Sequence, residues 1–210
     1  MTGSRDCEAP RIHPTALVEP GVYIGARTAV WDGVHLRGPS TIGHDCIIGE
    51  KTYIAYGVEI GNFVKINAMV YIPTGITIED RVMIAAGVIF TNDRYPRAFD
   101  ELRGGLADSG PSEDTLPGRV KTGATVGAGA VVGPGLTIGA YAMIGMGAVV
   151  TADVPPHALV DRPPHLAPRP ARPAPGPPDD LHDRRAAGAP LPGRRLRADA
   201  TGGRLLLQNE

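Results

Sequence analysis

Few side chains in this 210-residue chain are suited to chemistry, and they cluster in a recognisable way. His35 and His44 are the only histidines between Val18 and Val150, and imidazole is the side chain that exchanges a proton near pH 7 without help. His35 directly precedes an aliphatic residue, Leu36, and is expected to face outward into a groove. There it would act as a general base or hydrogen-bond a bound molecule. His44 follows Gly43 and reads as a solvated turn residue. Asn92 carries an amide that both donates and accepts, although a turn asparagine bonded to its own backbone is the competing assignment. Just beyond it, Arg94, Tyr95 and Arg97 combine two guanidinium forks suited to phosphate oxygens with a ring. Asn67 is a second amide, lining the same groove or forming an asparagine ladder within the stack. Cys7 and Cys46 are too few for a disulfide framework or a thiolate zinc site, and no metal is expected.

These residues need a scaffold, and composition narrows it. Charged residues make up 20% of the chain and the net charge is -1, which gives no basis for a nucleic-acid groove or a membrane-adhesive patch. Glycine (28) and proline (21) are abundant while aromatics are only 5%, so the core must be built from small aliphatic side chains. The first ten residues lack an apolar stretch, and no run approaches the ~18 apolar residues of a membrane span. A soluble, cytoplasmic protein is the expectation.

The scaffold is written as a repeat of six. From Ile12 every sixth residue is aliphatic, through Val18, Ile24, Val30, Leu36, Ile42, Ile48, Ile54, Ile60, Ile66, Ile72, Ile78 and Ile84 to the aromatic Phe90. The register resumes at Val120 and continues to Val150. Two residues before most of these aliphatics stands a small or β-branched side chain such as Ala16, Thr28, Cys46, Val64 or Ala148. Immediately after it glycine recurs, as at Gly25, Gly43, Gly127 and Gly145, where positive φ or close packing would require it. Each hexad therefore offers one large and one small inward residue, and short strands stacked in this way form a solenoid. Cys46 lies in the small inward column and reads as core filler.

Two stretches leave the repeat. Residues 91–119 are polar and punctuated by glycine and proline, an inserted loop at the place where a rigid scaffold delivers functional side chains. Residues 161–210 hold ten prolines and nine arginines but no Val, Ile, Phe, Tyr or Trp, a composition expected to remain disordered. The expected organisation is an N-terminal extension over 1–11, a solenoid over 12–160 and a Pro/Arg-rich tail over 161–210.

The hexads resemble those of the hexapeptide-repeat acyltransferases. That resemblance implies an all-β, left-handed parallel β-helix with three hexads per coil, usually assembled as a trimer. About twenty hexads would give six to seven coils, roughly 30 Å of stack at ~4.8 Å per layer. Ile12-His13-Pro14-Thr15-Ala16, Trp31-Asp32-Gly33-Val34-His35, Lys65-Ile66-Asn67 and Phe90-Thr91-Asn92 with Tyr95-Pro96-Arg97 are similar to motifs of one branch, the N-acetyltransferases of nucleotide-linked 3-amino sugars. The branch implies acetyl-CoA as donor and a nucleotide-sugar amine as acceptor. Asn92 and His35 are the candidate catalytic residues, although in the resembling branch the departing CoA thiolate can serve as the final proton acceptor, and Asn67, Arg94, Tyr95 and Arg97 are the candidates for the sugar nucleotide. Ala85, Gly87, Gly129, Gly147 and Ala148 would line the donor; the glycine-rich hexads Gly127–Gly147 are expected to expose backbone N–H groups with which a pantetheine arm could pair as an added strand, although glycine there also has a full structural explanation. The chain departs from the family after Val160, where Asp161-Arg162-Pro163-Pro164 replaces a Val-Gly-x-Pro-Ala-Arg element near the donor site. An acyltransferase acting on serine or a sugar hydroxyl, and a non-catalytic assembly solenoid, are the alternatives. A zinc hydrase on the same prism would need a third histidine.

Overall fold

The computed structural model describes residues 8–100, 104–108 and 110–161, together with the main chain of 169–170. Each hexad forms a strand of two or three residues, and successive strands fall in rotation onto three sheets. Among the described residues the first face carries eight parallel rungs, from Arg11–Ile12 to Ala158–Val160. The second carries seven, from Leu17–Val18 to Val149–Val150, and the third six, from Val22–Ile24 to Thr137–Ile138. This is the β-solenoid of a left-handed hexapeptide-repeat β-helix. Neighbours in each sheet are one coil apart, so that Ile12 lies beside Val30, His35 beside Tyr53 and Tyr53 beside Tyr71.

Burial explains why such short strands hold together. From Val30 onward the hexad aliphatics form one continuous buried column with the small residues two places earlier, Val34, Cys46, Val58 and Ala130 among them. Burying an isoleucine side chain completely is worth ~1.5–3 kcal/mol, and a two-residue strand obtains that only from coils above and below it. The column thins toward the first coil, where Ile12 is exposed. Cys46 is core filler, and burial pushes its thiol pKa up.

The two requirements for glycine fall on different columns. A Cβ on Gly43 would sit 2.4 Å from the carbonyl oxygen of Gly61, and one on Gly127 would sit 2.6 Å from that of Ile144. Close stacking between coils is therefore what demands glycine after the aliphatic. Positive φ belongs instead to the residue three places before it. Glycine fills that position at Gly33, Gly87 and Gly129, but Lys51, Met69 and Tyr141 adopt φ of 56° there.

Three polar residues point into the core. Thr28 Oγ1 donates to the carbonyl of Gly43 at 2.7 Å, and Thr52 Oγ1 to that of Asn67 at 3.0 Å. Ser40, 6% exposed, has an Oγ with no hydrogen-bond partner among the described residues. A buried unsatisfied hydroxyl costs ~1–3 kcal/mol, so Ser40→Ala should raise unfolding stability by about 1 kcal/mol in a urea titration. A decrease would show that the hydroxyl is bonded in solution.

The inserted segment leaves the corner between the second and third faces. It takes thirty residues from Phe90 to Val120 where six suffice elsewhere. Its neck is closed by an antiparallel bridge between Asp93 and Thr115, and it carries a small hairpin pairing Phe99–Asp100 with Gly105–Leu106. Of the segment expected to be disordered, all but Asp161 and Arg169–Pro170 lies outside the described residues. Arg169–Pro170 pairs antiparallel with Ala158–Leu159, so that short piece adds a strand to the last rung. Among the described residues no helix is long and apolar enough to cross a membrane.

The faces differ in what they turn outward. The second presents Leu17, His35, Tyr53, Tyr71, Ile89, Val131 and Val149, with Tyr71 45% and Ile89 43% exposed. The third presents Tyr23, Thr41, Glu59, Thr77, Arg119 and Thr137. A sheet whose outer side is mostly apolar and one whose outer side is mostly polar are built for different surroundings.

Candidate active site

His35 stands on the second rung of the second face, half-buried, where the expected outward orientation holds. Its Nε2 lies 2.8 Å from Oε1 of Glu19, on the coil below. Arg37 Nε reaches the same carboxylate at 3.2 and 3.4 Å, and the N–H of Gly38 adds a longer bond of 3.4 Å. The hydrogen bond from His35 is the main influence holding the Glu19 carboxyl below its ordinary pKa, with Gly38 and Arg37 adding to it against some desolvation. The Tyr53 ring meets the imidazole edge-on at 5.4 Å and stacks on Tyr71 at 5.3 Å. The Arg37 guanidinium lies 5.5 Å from the centre of the Tyr56 ring.

Asn92 lies three coils higher, at the corner after Phe90. Tyr56, Thr74 and Asn92 are spaced by one coil each, and Asn92 Nδ2 donates to the Thr74 carbonyl at 3.0 Å. Leu116 N–H donates to the Asn92 carbonyl at 2.6 Å, fixing the loop neck. These residues and Asp93, Asp108, Ser112 and Thr115 line a polar cavity of about 130 Å³ beneath the loop. The Asn92 amide is thus bonded to another coil's backbone rather than to its own. Arg94, Tyr95 and Arg97 are exposed on the outgoing strand of the loop. Tyr95 N–H donates to Asp93 Oδ1, and Arg97 Nη1 donates to the Pro96 carbonyl.

The remaining expected positions occupy the opposite edge of the second face, its corner with the first. Asn67 stands one coil below Ala85; the Asn67 N–H donates to the Ile84 carbonyl, and the Ala85 N–H to that of Val126. Gly87, Gly129 and Gly147 stack in one column, all at positive φ. Their N–H groups donate to the carbonyls of Ala68, Ala86 and Ala128 at 3.0, 2.9 and 2.7 Å, so these donors cannot pair with an added strand. What the column offers is clearance. A Cβ on Gly87 or Gly129 would meet nothing within 4 Å, and lower in the same column Lys51 and Met69 hold side chains at similar φ. Backbone geometry alone therefore does not demand glycine there. Ala148 turns inward and is 2% exposed, so only its main chain can meet a ligand.

Within one chain, then, the expected residues form three groups: His35 low on the second face, Asn92 with the loop at one edge, and the glycine column with Asn67 at the other. His35 and Asn92 are three rungs apart, about 14 Å at ~4.8 Å per rung. Glu19, Tyr53, Tyr56, Tyr71 and Thr74 were not singled out from the sequence, although a step of eighteen from His35 or Asn92 lands on Tyr53, Tyr71 and Thr74. His44, at the corner between the third and first faces, is no free turn residue. Its Nδ1 lies 2.7 Å from Asp45 Oδ2 and its ring meets Phe63 edge-on. Arg27 first and His44 second hold the Asp45 carboxyl down at about 2.

Residues 39–74, 67–92 and 120–152 match the family model described as the hexapeptide repeat of succinyl-transferase. The bifunctional protein GlmU of Alkaliphilus oremlandii is 38% identical over 82 residues, 32% of this chain and 18% of that protein. The acyl-[acyl-carrier-protein]–UDP-N-acetylglucosamine O-acyltransferase of Brucella ovis is 38% identical over 55 residues, 26% of this chain and 20% of that protein. The chain thus spans about a fifth of the length of these curated relatives. A crystal structure of PerB from Caulobacter crescentus, in complex with CoA and GDP-perosamine, aligns at 25% identity over 73% of this chain and 54% of that one, with a TM-score of 0.41. The chain resembles the hexapeptide-repeat acyltransferases.

Proposed function

We propose that the protein transfers an acetyl group from acetyl-CoA to the amino group of a nucleotide-linked amino sugar. The observation that carries this reading is the glycine column Gly87–Gly129–Gly147, where a Cβ on Gly87 or Gly129 would meet nothing within 4 Å although side chains occupy the same column lower down. Such an edge suits a long, thin donor arm. The family match and a relative named as an O-acyltransferase with a UDP-sugar acceptor support acyl transfer, and the amine acceptor and acetyl-CoA donor are the finer reading proposed.

In this mechanism the neutral amine attacks the thioester carbonyl carbon, forming a C–N bond and an oxyanion. His35 takes the proton released from nitrogen. Collapse of the tetrahedral species breaks the C–S bond, and the imidazolium returns the proton to the departing thiolate. Asn92 fixes the loop over the acceptor, and Arg94 and Arg97 meet its diphosphate.

The groups are spread over the second face and both of its edges, so a complete site needs a neighbouring protomer that brings them together. The apolar second face and the exposed Leu106, at 85%, suit a closed trimer. Light scattering should return three times the chain mass at micromolar protein; a monomer would remove this arrangement. Asn92→Ala should lower kcat/KM about tenfold, ~1.4 kcal/mol, by freeing the loop from Thr74. Release of free CoA thiol, followed over a panel of nucleotide amino sugars and their hydroxyl counterparts, tests the function itself. Turnover confined to hydroxyl acceptors would replace amine by alcohol, and none with any acceptor would leave a binding solenoid.

A further inference from the structure

Glu19, Arg37 and His35 form a charged cluster on a face whose other outward residues are Leu17, Tyr53, Tyr71, Ile89, Val131 and Val149. Stability does not account for it, because ion pairs with 29–41% of each side chain exposed contribute ~0–1 kcal/mol. Geometry suggests another purpose. Glu19 is held from two other sides, by Arg37 Nε and by the Gly38 N–H, and Arg37 is itself seated over Tyr56. The carboxylate is therefore fixed before His35 meets it. The ring is then confined between Glu19 at 2.8 Å and the Tyr53 ring.

An ionised carboxylate only accepts hydrogen bonds, so His35 Nε2 must carry the proton of the neutral imidazole. The lone pair is left on Nδ1, which among the described residues makes no hydrogen bond. We propose that Glu19 is the positioning residue for His35, locking the Nε2–H tautomer and presenting Nδ1 as the nitrogen that accepts the substrate proton. This rests on the assignment of His35 as base given above. The arrangement has the logic of a hydrogen-bonded carboxylate that orients an imidazole while its other nitrogen works.

Long-range proton–nitrogen NMR correlations on the resting protein, at a pH where the imidazole is neutral, read the tautomer directly. The wild type should show His35 protonated at Nε2, and Glu19→Ala should show a mixture. In kinetics Glu19→Ala should lower kcat about tenfold with little change in KM, whereas Glu19→Gln, whose Oε1 can accept the same bond, should retain most of the activity. In a His35→Ala background Glu19→Ala should add nothing, a non-additivity that a merely structural role would not produce. If His35→Ala is severe while Glu19→Ala is silent, or if the two losses multiply, the positioning role is overturned and the base assignment stands. If His35→Ala leaves kcat intact, the base assignment falls and takes this proposal with it. A wild-type His35 protonated at Nδ1 would also overturn it.

Discussion

His35→Ala should lower kcat/KM by about a hundredfold, the lower end of what a positioned general base contributes. The loss should fall mainly on kcat, because the imidazole acts on a proton that leaves only as the C–N bond forms. Raising the pH should restore part of it, since a larger fraction of the acceptor amine is then neutral without assistance. The substitution is structurally mild. His35 is half-buried on the outer surface of the second face, its ring makes one hydrogen bond, and Leu36 beside it carries the core contact. Circular dichroism and oligomeric state should therefore be unchanged. If the ring only hydrogen-bonds the sugar, the loss is smaller, appears in KM and does not respond to pH. A variant with wild-type kinetics in an intact assembly removes the base from His35.

The coil was legible in the sequence because one physical demand repeats coil after coil: from Val30 onward a large apolar side chain every sixth residue is buried. The Phe90–Val120 interruption was legible for the converse reason, since thirty residues without that column cannot be a coil. Column three, the left-handed turn position, was not legible, because Arg27, Asp45, Phe63 and Met69 occupy it as readily as glycine. Residue type there reports what the corner meets outside the chain, not what the backbone demands. The carboxylate beside His35 was missed because their contact is sixteen residues apart, between a strand and the corner of the coil below. Stepping by six finds the core, whereas stepping by eighteen finds neighbours on the surface. The latter step links His35 to Tyr53 and Tyr71, and Tyr56 to Thr74 and Asn92. Backbone N–H groups expected to bind the donor arm were assigned from glycine content alone. Only the ladder shows that those of Gly87, Gly129 and Gly147 already serve the coil beneath.

Gly129→Trp should raise the KM for the acyl donor about thirtyfold, ~2 kcal/mol, with little change in KM for the acceptor. Like Gly87, the position separates fold from function. Its φ of 66° is unfavourable for an L side chain, but Lys51 and Met69 hold φ of 56° at the equivalent corner of lower coils. The expected conformational cost is ~1–2 kcal/mol, which a solenoid with a continuous core can absorb. No steric cost adds to it, because a Cβ there meets no atom within 4 Å. The new indole must therefore lie along the cleared edge, in the space assigned to the pantetheine arm. Gly127→Trp is the control for the opposite case. Its Cβ would sit 2.6 Å from the Ile144 carbonyl oxygen, so that variant should unfold rather than lose donor affinity. A Gly129→Trp protein that folds, assembles and keeps its donor KM would show that the cleared edge is not where the donor lies. The open glycine column would then lose its place in the proposed function.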